Sequence, residues 1–301
     1  MAATLRAVRA RIRAVQSISK ITRAQELIAS SRIVRAQQQM RAAEPYSRGL
    51  TDAVSALLSR TTAVNHPMVT RPATIRKAAV IILTSDSGFA GAYNASVLRE
   101  ASRLRQRLSE ENTPVDLYVV GRKGIGWHRF RDIAVADEWS GFSARPHYPD
   151  AQKVTERVLQ NFGPEGDTDE IYLVATEFVS MLTQRPVVRR LLPLEVEESS
   201  EQPPQGPLPQ YEFEPSPDIV FDALLPQYVA SRVYFAMLEA AASELAARRR
   251  AMKAATDNAN DLLGRLTREA NNARQAEITQ EISEIVGGAN ALAETNAGSE
   301  G

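Results

Sequence analysis

Nucleotide chemistry in an α/β protein sits on a glycine-rich loop between a strand and a helix. Two segments of this chain invite that reading. "SDSGFAGAYN" (85–94) follows the apolar, β-branched run "AAVIILT" (78–84), and "GRKGIG" (121–126) follows "VDLYVV" (115–120). In "GFAGAY" (88–93) the two glycines stand three apart, so the G-x-G-x-x-G spacing is not met. Neither segment offers G-x-x-x-x-G-K-[ST]. Without those spacings the backbone has no phosphate cradle, and both read as tight strand-to-helix connections. Hydrolytic patterns are missing as well: there is no G-x-S-x-G and no H-E-x-x-H. The 301 residues include no Cys, which removes thiol catalysis, thiolate metal sites and disulfides. His66, His128 and His147 are too scattered for a zinc site. The acidic run "EVEESSE" (195–201) reads as a solvated loop rather than an ordered cation site. The expectation is a chain with no catalytic residue, no cofactor and no metal.

Charge is where the sequence is uneven. The formal net charge is zero, yet residues 1–60 carry 11 basic and three acidic side chains, and residues 150–220 carry five basic and 14 acidic ones. Such asymmetry points to different partners for different segments. The basic N-terminal segment suits nucleic acid, anionic lipid or an acidic protein surface. It has no aromatic residue before Tyr46, which argues against stacking on single strands. Its apolar rhythm favours a partner helix over a membrane surface. That rhythm also runs past residue 25 without a break, so the segment does not read as a removable transit peptide. No stretch approaches the roughly 18 apolar residues that a membrane span needs.

The elements that would carry these residues fall into three parts. Leu5, Val8, Ile12 and Val15 recur at 3,4,3 spacing, one face of a helix. Ile18, Ile21 and Ile28 are expected to continue the stripe after a phase shift, with Gln25 where an apolar residue belongs. Residues 4–43 contain no Gly or Pro, a run that favours a coiled coil. Pro45 either kinks this helix or opens a new one, which ends near residue 59. The middle alternates strands and helices: strands at 78–84, 115–120, 133–136, 170–178 and 186–195, and helices at 95–110 (capped by Asn94), 123–130 and 150–162 (capped by Asp150). That alternation implies a largely parallel sheet. Residues 197–217 hold six prolines and five acids, an extended linker with Tyr211 and Phe213 as local anchors. In the last segment Phe235, Leu238, Ala242, Leu245, Arg249, Met252, Thr256, Ala259, Leu263, Leu266, Ala270 and Ala273 keep 3,4 spacing, and the many Ala positions allow a close partner helix.

The expected division is an N-terminal helix at 1–60, an α/β domain at 75–196, a linker at 197–217 and a C-terminal helix at 218–292. At 1.5 Å per residue the two helices would reach about 84 and 110 Å. The simplest way to bury both stripes is to pair them. The fold class is α/β plus long α-helical coiled coil: an antiparallel coiled coil of the N- and C-terminal helices with an inserted Rossmann-like α/β domain. Composition and periodicity leave three functions open: a shaft within a protein assembly, a basic coiled-coil binder, and an α/β enzyme with helical arms.

Longer motifs separate these. "ITQEISEIVGGANA" (278–291), "AMKAATDNA" (251–259) and "RIRAVQSISKITRAQELIASSRIVRAQ" (11–37) resemble the signatures of one family, the gamma subunit of rotary (F-type) ATP synthases. "SDSGFAGAYN" is similar to its Ser-Asp-x-Gly-Leu-Cys-Gly-x-x-Asn segment, with Phe89 and Ala90 replacing Leu and Cys. Gln25 replaces a Met common in bacterial members. "EWSGFS", "ATEFVSML" and "SRVYFAMLEAAASEL" look like actinobacterial members. With no Cys, the dithiol switch of chloroplast members is absent, and "FGPEGDTDE" (162–170) is too short for a mycobacterial insertion.

The resemblance implies a non-catalytic rotor subunit. The paired terminal helices would turn inside a hexamer of alpha and beta subunits. The α/β domain would sit with epsilon on the c-ring, at the cytoplasmic face of the bacterial cell membrane. Membrane contact would come only through the complex, and no nucleic acid is implied. Proton flow would turn the shaft and drive the beta sites through ATP synthesis. The resemblance further implies that Arg248, Arg274, Gln275, Thr279 and Glu281 contact a beta subunit. Ile278, Ile282, Ile285 and Val286 would form an apical bearing, and Ser85, Asp86, Gly88, Gly91 and Asn94 carry the motif of the α/β domain.

Overall fold

The computed structural model describes residues 2–60, 66–194 and 217–297, with side chains described for 5–58, 66–194, 219–287 and 289. All but the last residue of the expected linker, the two aromatic anchors in it and the acidic run 195–201 lie outside the described residues. In chain order the elements are α1 (Ala2–Arg60), β1 (Ala78–Leu83), α2 (Tyr93–Glu110), β2 (Val115–Val120), α3 (Arg122–Phe130), β3 (Asp137–Trp139), α4 (Tyr148–Leu159), β4 (Glu170–Phe178), β5 (Gln184–Leu192) and α5 (Pro217–Ala297). They form two compact units. The larger is Ala29–Arg250; the smaller combines Met1–Ile28 with Ala251–Gly301.

The larger unit is built on a five-stranded sheet in the order β3-β2-β1-β4-β5. β1 pairs parallel with β2 (Ala78 beside Val115) and with β4 (Ala78 beside Glu170), and β5 closes the sheet antiparallel to β4. Every β1 residue is buried, because both faces are covered and neither alternate residue may be polar. On one face Val97, Leu98, Ala101, Leu104 and Leu108 of α2 meet Val80, Ile82, Val119 and Val174. On the other, Val154 and Val158 of α4 and Val229, Val233 and Met237 of α5 meet Ile81, Tyr118 and Leu173. The edges are protected in different ways. β3 is only three residues long, and β5 carries Arg185, Pro186, Arg189 and Arg190.

α1 and α5 also meet within this unit. Ile33 and Ala36 pack with Ala242, Leu245 and Ala246. Val54 and Leu57 pack with Phe221 and Leu225. Sequence order runs oppositely in the two helices, so the pair is antiparallel. α1 passes through Pro45 without ending. The burial phase survives: Ala29, Ile33, Ala36, Ser47, Leu50, Val54 and Leu57 are all buried.

The smaller unit is an antiparallel helix pair. Thr22 Oγ1 lies 2.7 Å from Thr256 Oγ1, and Ser19 Oγ donates to Asn260 Oδ1 at 3.0 Å. Here the expected stripe is corrected. There is no phase shift. The buried line runs through Leu5, Val8, Thr22 and Glu26, with Ile12, Val15 and Ser19 half-buried. Ile18, Ile21 and Ile28 are exposed, as is Gln25. A straight helix cannot change phase without a break, so polar Thr22 takes the seam and satisfies its hydroxyl against Thr256.

Three further expectations are corrected. The strand near 133–136 lies at Asp137–Trp139; Ile133 and Val135 pack toward the α2 face instead. Asn94 does not cap its helix, because its amide reaches back to Ser85. Arg249 is exposed while Arg248 is buried. Residues 236–248 of α5 are all buried, since α5 meets both the sheet and α1, and a helix covered on two sides has no single seam.

Candidate functional site

The place to look for function in this unit is the edge where β1 to β4 end. Strand order reverses between β1 and β4, and ligands of open α/β sheets bind outside the carboxyl ends at such a point. Three segments converge there: 84–92 after β1, 121–124 after β2 and 140–146 after β3.

Asp86 ties them together. Its carboxylate accepts from the backbone N–H of Arg122 (3.1 Å), Gly141 (2.8 Å) and Ser143 (3.0 Å). Ser143 Oγ accepts from the Asp86 N–H at 2.8 Å. One side chain therefore holds the two neighbouring segments as well as its own. Ser85 and Asn94 lock the start of α2: Ser85 N–H donates to Asn94 Oδ1 at 2.9 Å, and Asn94 Nδ2 donates to Ser85 Oγ at 2.8 Å. Gly91 adopts φ 56° and Phe89, two residues earlier, φ 61°. The expected motif Ser85, Asp86, Gly88, Gly91 and Asn94 thus forms one structural knot.

The second glycine segment is explained by close approach. Gly121 has φ 99°, and a Cβ there would stand 2.3 Å from Thr84 O. A Cβ on Gly124 would stand 2.6 Å from Thr84 Oγ1. The space is taken by Thr84, whose hydroxyl donates to Val120 O (2.8 Å) and accepts from Gly124 N–H (2.9 Å). These glycines admit a protein side chain rather than a phosphate.

α5 then closes the crevice. Ala247 packs against Ala90 and Tyr93, and Ser243 Oγ donates to Thr176 O at 3.4 Å. Arg248 donates to Gly88 O at 3.2 Å and to Ser87 O at 3.3 Å. The same guanidinium donates to Glu244 Oε1 at 2.6 Å. Burial pushes the Glu244 carboxyl up, and Arg248 partly offsets that. Burial, with the Glu244 charge second, pushes the Tyr93 phenol up strongly. Arg250 reaches Leu182 O and Gln184 Oε1 on the β4–β5 turn. A dinucleotide crevice has become a clamp on a helix.

The remaining candidate residues lie elsewhere. Arg274, Gln275, Thr279 and Glu281 are exposed on α5 in the smaller unit, and Thr279 Oγ1 donates back to Gln275 O at 2.9 Å. Ile278, Ile282, Ile285 and Val286 are exposed there too, Ile285 by 71%. Arg248 belongs to the clamp in the larger unit and is 8% exposed. Sequence reasoning missed Glu244; the available signal was its i,i+4 spacing to Arg248. Ser143 left no signal, because its role exists only once the three segments meet. Among the described residues no group of three or more His, Cys, Asp or Glu is placed to hold a metal. No described helix is long and apolar enough to cross a membrane.

Known proteins resemble the whole chain. A family described as ATP synthase matches residues 4–292. The ATP synthase gamma chain of Kineococcus radiotolerans is 57% identical over 297 residues, covering 97% of this chain and 98% of the relative. That of Thermobifida fusca is 53% identical over 306 residues, with full coverage of both. Among solved structures, a chain of the Euglena gracilis mitochondrial ATP synthase (OSCP/F1/c-ring) aligns with TM-score 0.70 at 15% identity, over 97% of this chain and 95% of that one. A chain of the Tetrahymena thermophila mitochondrial central stalk/c-ring aligns with TM-score 0.57 at 21% identity, over 78% and 99%.

Proposed function

This chain belongs to the ATP synthase gamma-chain family, a non-catalytic subunit of that complex, and on that premise we propose that it works as the central rotor shaft. In this reading the smaller unit turns within the alpha–beta hexamer. The larger unit couples to epsilon and the c-ring at the cytoplasmic face of the cell membrane. Proton-driven rotation of the ring is passed through α1 and α5 to the beta subunits, which make ATP.

The observation that carries the reading is the apolar surface of the smaller unit. Ile18, Ile21, Leu27, Ile28, Leu262, Ile278, Ile282, Ile285 and Val286 are all at least 40% exposed. A pair of helices that keeps this much aliphatic surface in water is built to be sheathed by other protein. Aliphatic contacts are non-directional, so a surface of them can turn in a sleeve without breaking oriented bonds. Ile278, Ile282, Ile285 and Val286 would form the apical bearing. Arg274, Gln275, Thr279 and Glu281 would make the directional contacts that hold and release beta. Arg248, buried in its clamp, would act on beta only through Ser87 and Gly88, whose carbonyls it grips.

The basic N-terminal part of α1 supplies a second contact. Arg9, Arg11 and Arg13 are exposed and would run beside acidic segments of beta. Long-range attraction of this kind tolerates sliding. The test is the triple charge reversal Arg9→Glu, Arg11→Glu and Arg13→Glu in the assembled complex, with ATP synthesis measured in energised vesicles. Coupling or assembly should fall. Unchanged assembly together with unchanged synthesis overturns the charge-track role. Failure of the tagged chain to co-purify with alpha and beta subunits overturns the shaft reading itself.

A further inference from the structure

A cavity of about 400 Å³ in the larger unit is lined by Arg32, Arg35, Ala36, Gln39, Ala144 and Arg145. Three of its six lining residues are arginines, and no acid lines it. None of the three guanidiniums has a carboxylate partner among the described residues. Other arginines of this unit are paired, Arg71 with Glu170, Arg76 with Asp169, Arg157 with Asp137 and Arg189 with Glu239; what sets Arg32, Arg35 and Arg145 apart is that they line one cavity together.

The fold forces this convergence. Burying Ile33 and Ala36 against Ala242, Leu245 and Ala246 fixes the rotation of α1. Arg32 and Arg35, three apart, then share the neighbouring face. Arg145 comes from the segment between β3 and α4, which is held rigidly. Asp86 accepts from the Gly141 and Ser143 N–H groups, Arg145 N–H donates to Phe142 O at 3.0 Å, and Pro146 is buried. Three like charges are thus presented to one concavity by two supports that cannot easily separate. All three arginines are exposed, and a concave surface lined by one sign of charge raises the local concentration of counter-ions. An anion that accepts from several guanidiniums at once removes the repulsion and makes charge-assisted, multidentate bonds.

We propose that the cavity formed by Arg32, Arg35 and Arg145 binds a phosphate group, either free inorganic phosphate or the phosphates of a nucleotide. The cavity has room for more than a single phosphate ion, so both sources fit. The site borders the crevice beyond β1 through the shared 140–146 segment, and it stands independently of the shaft reading.

The test is calorimetric titration of the full chain with inorganic phosphate and, separately, with ADP free of metal, at constant ionic strength in chloride. Thermal stabilisation by each ligand serves as a second readout. Saturable one-site binding is expected. Arg145→Gln should weaken it about tenfold or more, the loss of one charge-assisted contact, and the pair Arg32→Gln with Arg35→Gln, which removes two, should weaken it further. Arg41→Gln, an exposed arginine of α1 that does not line the cavity, should leave it within about twofold. Equal affinities for phosphate and ADP assign free phosphate, and a much tighter ADP assigns the nucleotide. The proposal is overturned by absence of saturation up to roughly 20 mM phosphate, far weaker than three guanidiniums should hold. Equal weakening by Arg41→Gln overturns it too, since that reports diffuse charge. So does an acidic peptide that binds these arginines but is not displaced by phosphate.

Discussion

Replacing Arg248 with Met isolates the electrostatics of the clamp. Methionine keeps most of the side-chain volume and removes the charge. Glu244, with its side chain 1% exposed, then loses its only cation within bonding distance among the described residues. A buried carboxylate left unpaired costs about 3–5 kcal/mol. It can escape by taking a proton, at about 1.4 kcal/mol for each pH unit above its ordinary value. That value is 4.5, so the ceiling is about 1.4 kcal/mol at pH 5.5 and about 5 kcal/mol at pH 8. The sign follows from the direction of the shift. An acid raised by burial leaves the fold fully stable below 4.5 and destabilises it as pH rises through the folded value. Arg248→Met should therefore be mild at pH 5.5 and worse by about 3 kcal/mol at pH 8. Urea unfolding followed by tryptophan fluorescence reads this directly, because Trp127 and Trp139 are the only two tryptophans and both lie in the larger unit. The double variant Glu244→Gln with Arg248→Met should recover most of the loss at pH 8. A cost independent of pH, or no recovery in the double variant, would refute the assignment of Glu244 as the charge that Arg248 serves.

Gly121→Ala should cost about 3 kcal/mol or more, the sum of left-handed strain and overpacking against Thr84; a fluorescence-monitored loss below about 1 kcal/mol would contradict the close approach. In the smaller unit, Thr22→Val or Thr256→Val alone should cost about 1 kcal/mol, and the two together should be nearly neutral, because the shared hydroxyl contact is then replaced on both sides. Hydrogen exchange of the α1 amides around Thr22 measures this, and simple additivity of the two losses would argue against the pair. Asp169 is held below its ordinary value by its hydrogen bond to Arg76. Its contribution is present above about pH 4 and is lost as pH falls through the folded value. Arg76→Gln should therefore flatten the acid limb of the stability curve, and an unchanged acid limb would count against the pair.

Much of the fold was legible because its signals are local. The strands at 78–83, 115–120 and 170–178 announced themselves as short β-branched runs between turn residues. The two terminal helices announced themselves by apolar spacing and, over residues 4–43, by the absence of Gly and Pro. What failed did so for a common reason. Ile18 and Ile21 look like seam residues by type, yet the seam belongs to Thr22 and Glu26 because a continuous helix keeps its phase. Arg249 looked like a seam position because periodicity assumes one buried face, and α5 has several neighbours between residues 236 and 248.

The candidate site divides the same way. The types and spacing in 85–94 marked a special strand-to-helix connection and excluded a phosphate cradle, since those depend on adjacent residues alone. That Asp86 would gather amides from Arg122, Gly141 and Ser143, or that α5 would close the crevice with Arg248, is absent from any local pattern. The sequence by itself determined most of the elements and the motifs that carry the family. Tertiary structure decided which aliphatic groups stay exposed, which charges are buried in pairs and which three arginines share a cavity. The reason is that helix and strand preferences arise from neighbours in the chain, whereas burial and the cost of a charge depend on neighbours that only folding brings together.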